Sequence, residues 1–226
     1  MQSDRFEENK DSRLVHLSID DIGASLRWAC LNLPQSIWDM RFFGKLKELN
    51  MRYGAEFTLY CYYDIGNNFC FDSLPAIYLS EFSQAENWLK FGFHATNKLP
   101  FSQASDWEKH FAKFSEIIAV HNIGGTDILR VHCWETTDAQ ECYLQKSGIR
   151  TLLIRKQEDD YIKNGIYHRS TNTCFEKISS AISDLVLEIG KPHLIAFTHE
   201  WIFEQQISKI ESSIELYVNS GYGFFS

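Results

Sequence analysis

Carboxylates and imidazoles fall at the ends of successive apolar runs in this chain. Asp20 and Asp21 follow residues 14–19, Asp64 follows 57–63, His94 follows 88–93, His132 follows 128–131, and His199 with Glu200 follows 194–198. Carboxylate oxygens and imidazole nitrogens ligate hard or borderline divalent cations, and both groups exchange protons with a reacting centre. If the runs are parallel strands, the groups that end them converge on the carboxyl-terminal rim, where ligands collect in sheets of this kind. Neighbouring residues on a strand point to opposite faces, so Asp20 and Asp21 can share one site only if the backbone turns beside them, which Gly23 permits. A polar strand end returning to water, with Asp21 opening a turn, is the structural alternative.

The elements that must position these groups alternate. Residues 14–19, 57–63, 88–93, 128–131, 151–154 and 194–198 read as strands, being short, apolar and rich in β-branched or aromatic residues. Between them lie helical patterns. Ser36-Ile-Trp-Asp39 and Ser105-Asp-Trp-Glu108 have the spacing of capping boxes, the first opening a helix that runs to Gly54 and the second one that runs towards Gly124. Further helices are expected near 137–146, from Phe175 to Ile189, and from Ile207 to about Gly221. Strand–helix alternation of this type predicts an α/β fold with a parallel sheet wrapped by helices, either a barrel or an open doubly wound sheet.

The chain has 226 residues, enough for one full core. Residues 1–13 read as a polar tail and 14–226 as a single domain. A net charge of −8 argues against nucleic acid as a partner. No stretch reaches the ~18 apolar residues of a membrane span, and the polar tail lacks a signal-peptide core, so a cytoplasmic protein without membrane contact is expected. The six cysteines are scattered without a C-x-x-C pair and read as buried reduced thiols.

Three strings resemble the polysaccharide deacetylase superfamily, the carbohydrate esterases built on a distorted β/α barrel of about seven strands. Ser18-Ile-Asp-Asp21 is similar to the first motif of the family, Phe91-Gly-Phe-His94 to the start of its histidine motif, and Phe197-Thr-His199 to its late strand with a terminal histidine. Their order matches from about Leu14 to Trp201. The resemblance implies a parallel (β/α) barrel and metal-assisted removal of an N-acetyl or related acyl group from a carbohydrate-like small molecule or glycan. It implies Asp20 as general base, His199 as general acid, and Asp21 and His94 as ligands of a divalent ion, with zinc foremost and cobalt, nickel or manganese also suited.

The chain departs from the family where a second histidine is expected three to five residues after the first. Asn97, Lys98 and Leu99 stand there, so His132 becomes the leading third ligand and His110 a weaker one. A protein that kept the barrel but lost a full metal site, acting as a binding or scaffold domain, is the alternative. Asp64, Trp134, Glu135, Arg169, Glu200 and Trp201 are candidate substrate contacts, with Trp134 and Trp201 suited to stack on a sugar face. An Arg169 surface ion pair competes with its role as an anion contact. The oligomeric state is left open.

Overall fold

The computed structural model describes residues 12–66, 69–155, 159–177 and 189–226. The first apolar run forms β1 (Leu14–Ile22), buried along nearly its whole length. Continuous burial marks a strand covered on both faces, as in parallel sheets. In chain order there follow α1 (Ala24–Asn32), α2 (Arg41–Tyr53), β2 (Phe57–Tyr62), β3 (Asp64–Gly66), β4 (Phe69–Cys70), α3 (Ala76–Gln84), β5 (Leu89–Ala95), α4 (Trp107–Val120) and β6 (Ile128–Leu129). The second half adds α5 (Asp138–Lys146), β7 (Thr151–Ile154), β8 (Tyr161–Lys163), β9 (Ile166–Ser170), β10 (Thr173–Cys174), β11 (His193–His199), α6 (Glu200–Phe203), α7 (Ile207–Asn219) and β12 (Gly223–Phe225).

One sheet runs β10-β11-β1-β2-β5, with β12 also paired to β1, and another runs β6-β7-β9-β8. Among the described strands, pairing is parallel except in the β3–β4 hairpin and the β8–β9 pair. The sheets touch at two seams. Phe91 bridges Gly125 at one; at the other, the Thr171 amide donates to Ile154 O and the Asn172 amide to Ile195 O, each at 3.0 Å. A mostly parallel α/β architecture is thereby established, but a closed barrel is not, because β5 and β6 share no continuous ladder.

Aromatic side chains fill the space between the first sheet and its helices. Phe93 meets Phe111 and Phe114 of α4 edge-on, with ring centroids 5.5 and 5.7 Å apart, and Phe82 of α3 lies against Phe91 and Phe43. Tyr60 covers Gly92 so closely that a Cβ there would stand 2.7 Å from the tyrosine ring.

Local expectations fare unevenly. Ser36 does form a capping box with Asp39, but the box opens a 3-10 turn, Ile37–Asp39, and α2 begins only at Arg41. No box forms at 105–108: the N-cap of α4 is Asp106, left-handed at φ 57° and without a side-chain cap bond. The strand at 128–131 shortens to two residues. Of the helix expected from Phe175, the structure describes a 3-10 turn, Phe175–Lys177; residues 178–188 lie outside the described residues, as do residues 1–11 of the expected tail. No described helix is long and apolar enough to cross a membrane.

Candidate metal centre

Both leading ligand candidates, Asp21 and His94, sit on irregularities of the sheet. Along β1 and β2 the register advances from Ile19↔Leu59 to Ile22↔Cys61, so β1 carries one extra residue at Asp20–Asp21. The backbone turns at Asp21 itself, at φ 62°, and not at Gly23, whose φ of −178° is extended. A short side chain able to bond locally tolerates this left-handed conformation. Between β2 and β5 the register passes from Cys61↔Phe93 to Tyr62↔Ala95, which leaves His94 as the extra residue. His94 is thus within its strand, not beyond it. A bulge re-aims the side chain it frees from the pleat, and here two bulges on adjacent strand pairs turn a carboxylate and an imidazole towards one point.

That point is also reached by His132, in the 3-10 turn His132–Trp134 after β6. Asp21 Oδ1 lies 3.2 Å from His94 Nε2 and 3.4 Å from His132 Nδ1, and the two nitrogens are 3.3 Å apart. One atom from each residue therefore makes a nearly equilateral triangle. Ligands about 2.0–2.1 Å from a tetrahedral zinc ion are separated by about 3.3 Å, so the donor spacing fits such an ion. The donor protonation fits as well. His94 Nδ1 lies 2.5 Å from the Arg130 carbonyl oxygen, an acceptor only, so Nδ1 carries the proton and Nε2 offers its lone pair to the centre. The Tyr62 hydroxyl donates to Asp21 Oδ1 at 2.5 Å and stands 3.0 Å from His132 Nδ1. Burial pushes the Asp21 carboxyl up, but the His132 and His94 imidazoles and the Tyr62 hydroxyl beside it outweigh that and hold it ionised well below its ordinary range.

Beside the triangle lies a second pair of groups. Asp20 is opposite His199 in the β1–β11 register. It is buried, and its Oδ2 is 3.3 Å from Nε of Arg130, itself 1 % exposed. Burial pushes the Asp20 carboxyl above its ordinary value even though Arg130 opposes the shift. Arg130 also donates to Thr171 Oγ1 at 2.8 Å and lies under the Trp134 and Phe197 rings, at 4.6 and 4.2 Å. On the other strand, Nδ1 of His199 is 2.6 Å from Glu176 Oε1. Burial lowers the His199 pKa, but the Glu176 hydrogen bond and the nearby Asp20 raise it overall.

No protein-family model matches this chain, and no curated protein sequence does. Solved structures do. The Bc1960 peptidoglycan N-acetylglucosamine deacetylase superposes with a TM-score of 0.61 at 12% identity, over 97% of this chain and 93% of that one. A family 4 acetyl xylan esterase from Clostridium thermocellum, solved with a cobalt ion, gives 0.54 at 14% identity over 94% and 87%. BA3943 from Bacillus anthracis, a pseudoenzyme of the same esterase family, gives 0.62 at 10% identity over 95% and 63%. The fold is that of the polysaccharide deacetylases.

Within this deacetylase fold the remaining candidates disperse. Trp201 is 61% exposed and stacks on His199, with centroids 5.5 Å apart, so its outer face is open to a ligand. Trp134 follows His132 and packs edge-on against Phe197. Glu135 accepts from Ser102 Oγ at 3.3 Å, and Asp64 accepts the Gly66 amide at 2.7 Å within its hairpin. Glu200 does not point to a substrate role: its carboxylate accepts the amides of Gly23, Ala24 and Ser25 at 2.6–3.1 Å, and so anchors the start of α1. Arg169 is held by Asp160 at 2.9 Å, the surface ion pair that competed with an anion contact. His110 stacks on Tyr63 and reaches Thr96 Oγ1 at 3.2 Å, a packed helix residue away from the triangle. Reading residue types at strand ends passed over Arg130 and Glu176 as site groups. Arg130 had a signal, since a charge inside the apolar string Ile128-Leu-Arg-Val131 demands a buried partner.

Proposed function

We propose that this chain is a metal-dependent hydrolase that removes an N-acetyl or related acyl group from a carbohydrate-like substrate, working on a distorted β/α barrel. The observation that carries this reading is the triangle of Asp21 Oδ1, His94 Nε2 and His132 Nδ1, with the His94 tautomer set by the Arg130 carbonyl. His132 replaces, from the next strand, the histidine missing at 97–99. A divalent cation held there, zinc foremost and cobalt, nickel or manganese otherwise, would polarise the acyl carbonyl and acidify a water molecule. Asp20 takes that water's proton: it adjoins Asp21, and Arg130 orients it. His199 donates a proton to the leaving amine or alcohol, with Nδ1 engaged by Glu176 so that Nε2 is the transferring atom. Trp201 and Trp134 offer ring faces to a sugar.

A second reading, a non-catalytic domain, is favoured by the missing histidine and by the pseudoenzyme among the structures that share the fold. Metal analysis of the purified chain, with acetate release from N-acetylated and O-acetylated sugars, separates the two. Stoichiometric metal with acetate release supports the hydrolase. A metal-replete sample inert across the panel selects the non-catalytic reading.

A further inference from the structure

We propose that the cavity of about 410 Å3 bounded by α5, β7 and β9 is a subsite for a neutral sugar residue neighbouring the one that carries the acyl group. This inference rests on the carbohydrate reading above. The cavity lies in the ~300–1,000 Å3 range of small-ligand pockets, and Ser102, Glu135, Thr136, Glu141, Tyr161 and His168 line it.

It joins the metal centre through one short segment. His132 belongs to the triangle, while Trp134 and Glu135 line the cavity. Between them, Cys133 and Trp134 are consecutive non-glycine residues in the left-handed region, at φ 61° and 66°. Such strain persists where surrounding structure enforces it, often at ligand sites.

The cavity wall contains an unmet hydrogen-bonding group. His168 is 2% exposed, and neither of its ring nitrogens has a partner among the described residues. Its nearest carboxylate oxygen, Glu141 Oε2, is 3.8 Å away, beyond hydrogen-bond reach. Glu141 is already engaged, by Thr136 Oγ1 at 2.7 Å and Asn164 Nδ2 at 2.8 Å. Tyr161 stacks on the imidazole at 4.4 Å and 11°, closing its outer face. Burial pushes the His168 pKa below its ordinary value, so at pH 7 the ring is neutral and offers one donor and one acceptor. A sugar hydroxyl, which both donates and accepts, can bond whichever of the two nitrogens faces it. Glu135 and Glu141 oppose an anion, and Lys163 on the same wall is drawn to Asp138 at 2.8 Å.

Calorimetric titration of the full chain with N-acetylglucosamine, its β-1,4 tetramer and xylotetraose tests this, in metal-loaded and metal-stripped protein. At least one tetramer should bind more tightly than the monosaccharide in both states. His168→Phe keeps a ring under Tyr161 and removes the nitrogens; it should weaken that tetramer roughly tenfold, the worth of one hydrogen bond, with metal content intact. If that variant fails to fold, Glu135→Ala, at an exposed position, should give the same loss. Equal affinity for monosaccharide and tetramers, no binding of any saccharide, or variants that bind as the parent does would each overturn the subsite. Acetate release distinguishes the two proposals. Acetate released alike by parent and His168→Phe at equal KM removes the subsite and leaves the hydrolase, whereas binding through His168 without acetate release does the reverse.

Discussion

At Asp21 a single oxygen faces both histidines and accepts the Tyr62 hydroxyl. Burial and the adjacent Asp21 charge keep the Tyr62 phenol protonated, so it remains a donor that orients the carboxylate. Tyr62→Phe should therefore weaken metal binding by about 10–100-fold, the range for partners that orient a ligand, as read by competition with a chelating dye. Asp21→Asn should lose metal and turnover together, while Asp20→Asn should lose turnover with metal retained. Metal unchanged in Asp21→Asn would remove that residue from the centre. The pH profile of acetate release has a definite sign. If His199 is the acid, as proposed, it acts protonated, and activity should fall as pH rises through its pKa, which Glu176 holds above the ordinary imidazole value. As the proposed base Asp20 must be ionised, so activity should also fall on the acid side, above the ordinary carboxylate range. Glu176→Gln should move the alkaline limb to lower pH and leave the acid limb in place. An unmoved alkaline limb would mean that His199 is not the acid.

The strands position the site through the places where they depart from regular pairing. Regular β1 would send Asp20 and Asp21 to opposite faces, and regular β5 would leave His94 in the pleat; the extra residue in each pair brings Asp21 and His94 together. Helix α1 is set by a side chain from the far end of the chain, since Glu200 accepts the amides of Gly23, Ala24 and Ser25. Glu200→Ala should leave those donors without that acceptor and cost about 3 kcal/mol, seen as a lower urea midpoint, with Glu200→Gln losing less. A midpoint equal to the parent's would show that water replaces the carboxylate. These features explain what local patterns missed: the 105–108 string has the spacing of a capping box, yet Asp106 adopts a left-handed conformation that forgoes it.

Over the whole molecule, the parallel strands bring groups from across the chain to one rim: Asp20 and Asp21 from β1, His94 from β5, His132 after β6 and His199 from β11. The fold is shared with a peptidoglycan deacetylase, an acetyl xylan esterase and a pseudoenzyme of that esterase family at 10–14% identity, so the scaffold is held by apolar pattern and strand order under extensive residue change. Restoring a histidine near the usual second position, as in Asn97→His, should not raise metal affinity if His132 already completes the set. His132→Ala should lower it at least tenfold by isothermal titration. The opposite pair of results would return the third ligand to the 97–99 loop.

The alternation of apolar runs with amphipathic stretches was sufficient to mark the α/β class, the principal strands and the ionisable residues that end them, because burial and hydrogen-bonding periods are local properties. The positions of Asp21, His94, His132 and His199 were legible for that reason. The meeting of Asp21 Oδ1, His94 Nε2 and His132 Nδ1 was decided by tertiary structure, as were the burial of Arg130 against Asp20, the Glu176 bond to His199 and the diversion of Glu200 to α1. These depend on strand register, on two bulges and on a left-handed turn. Each is locally unfavourable and is offset only when the whole core closes around it.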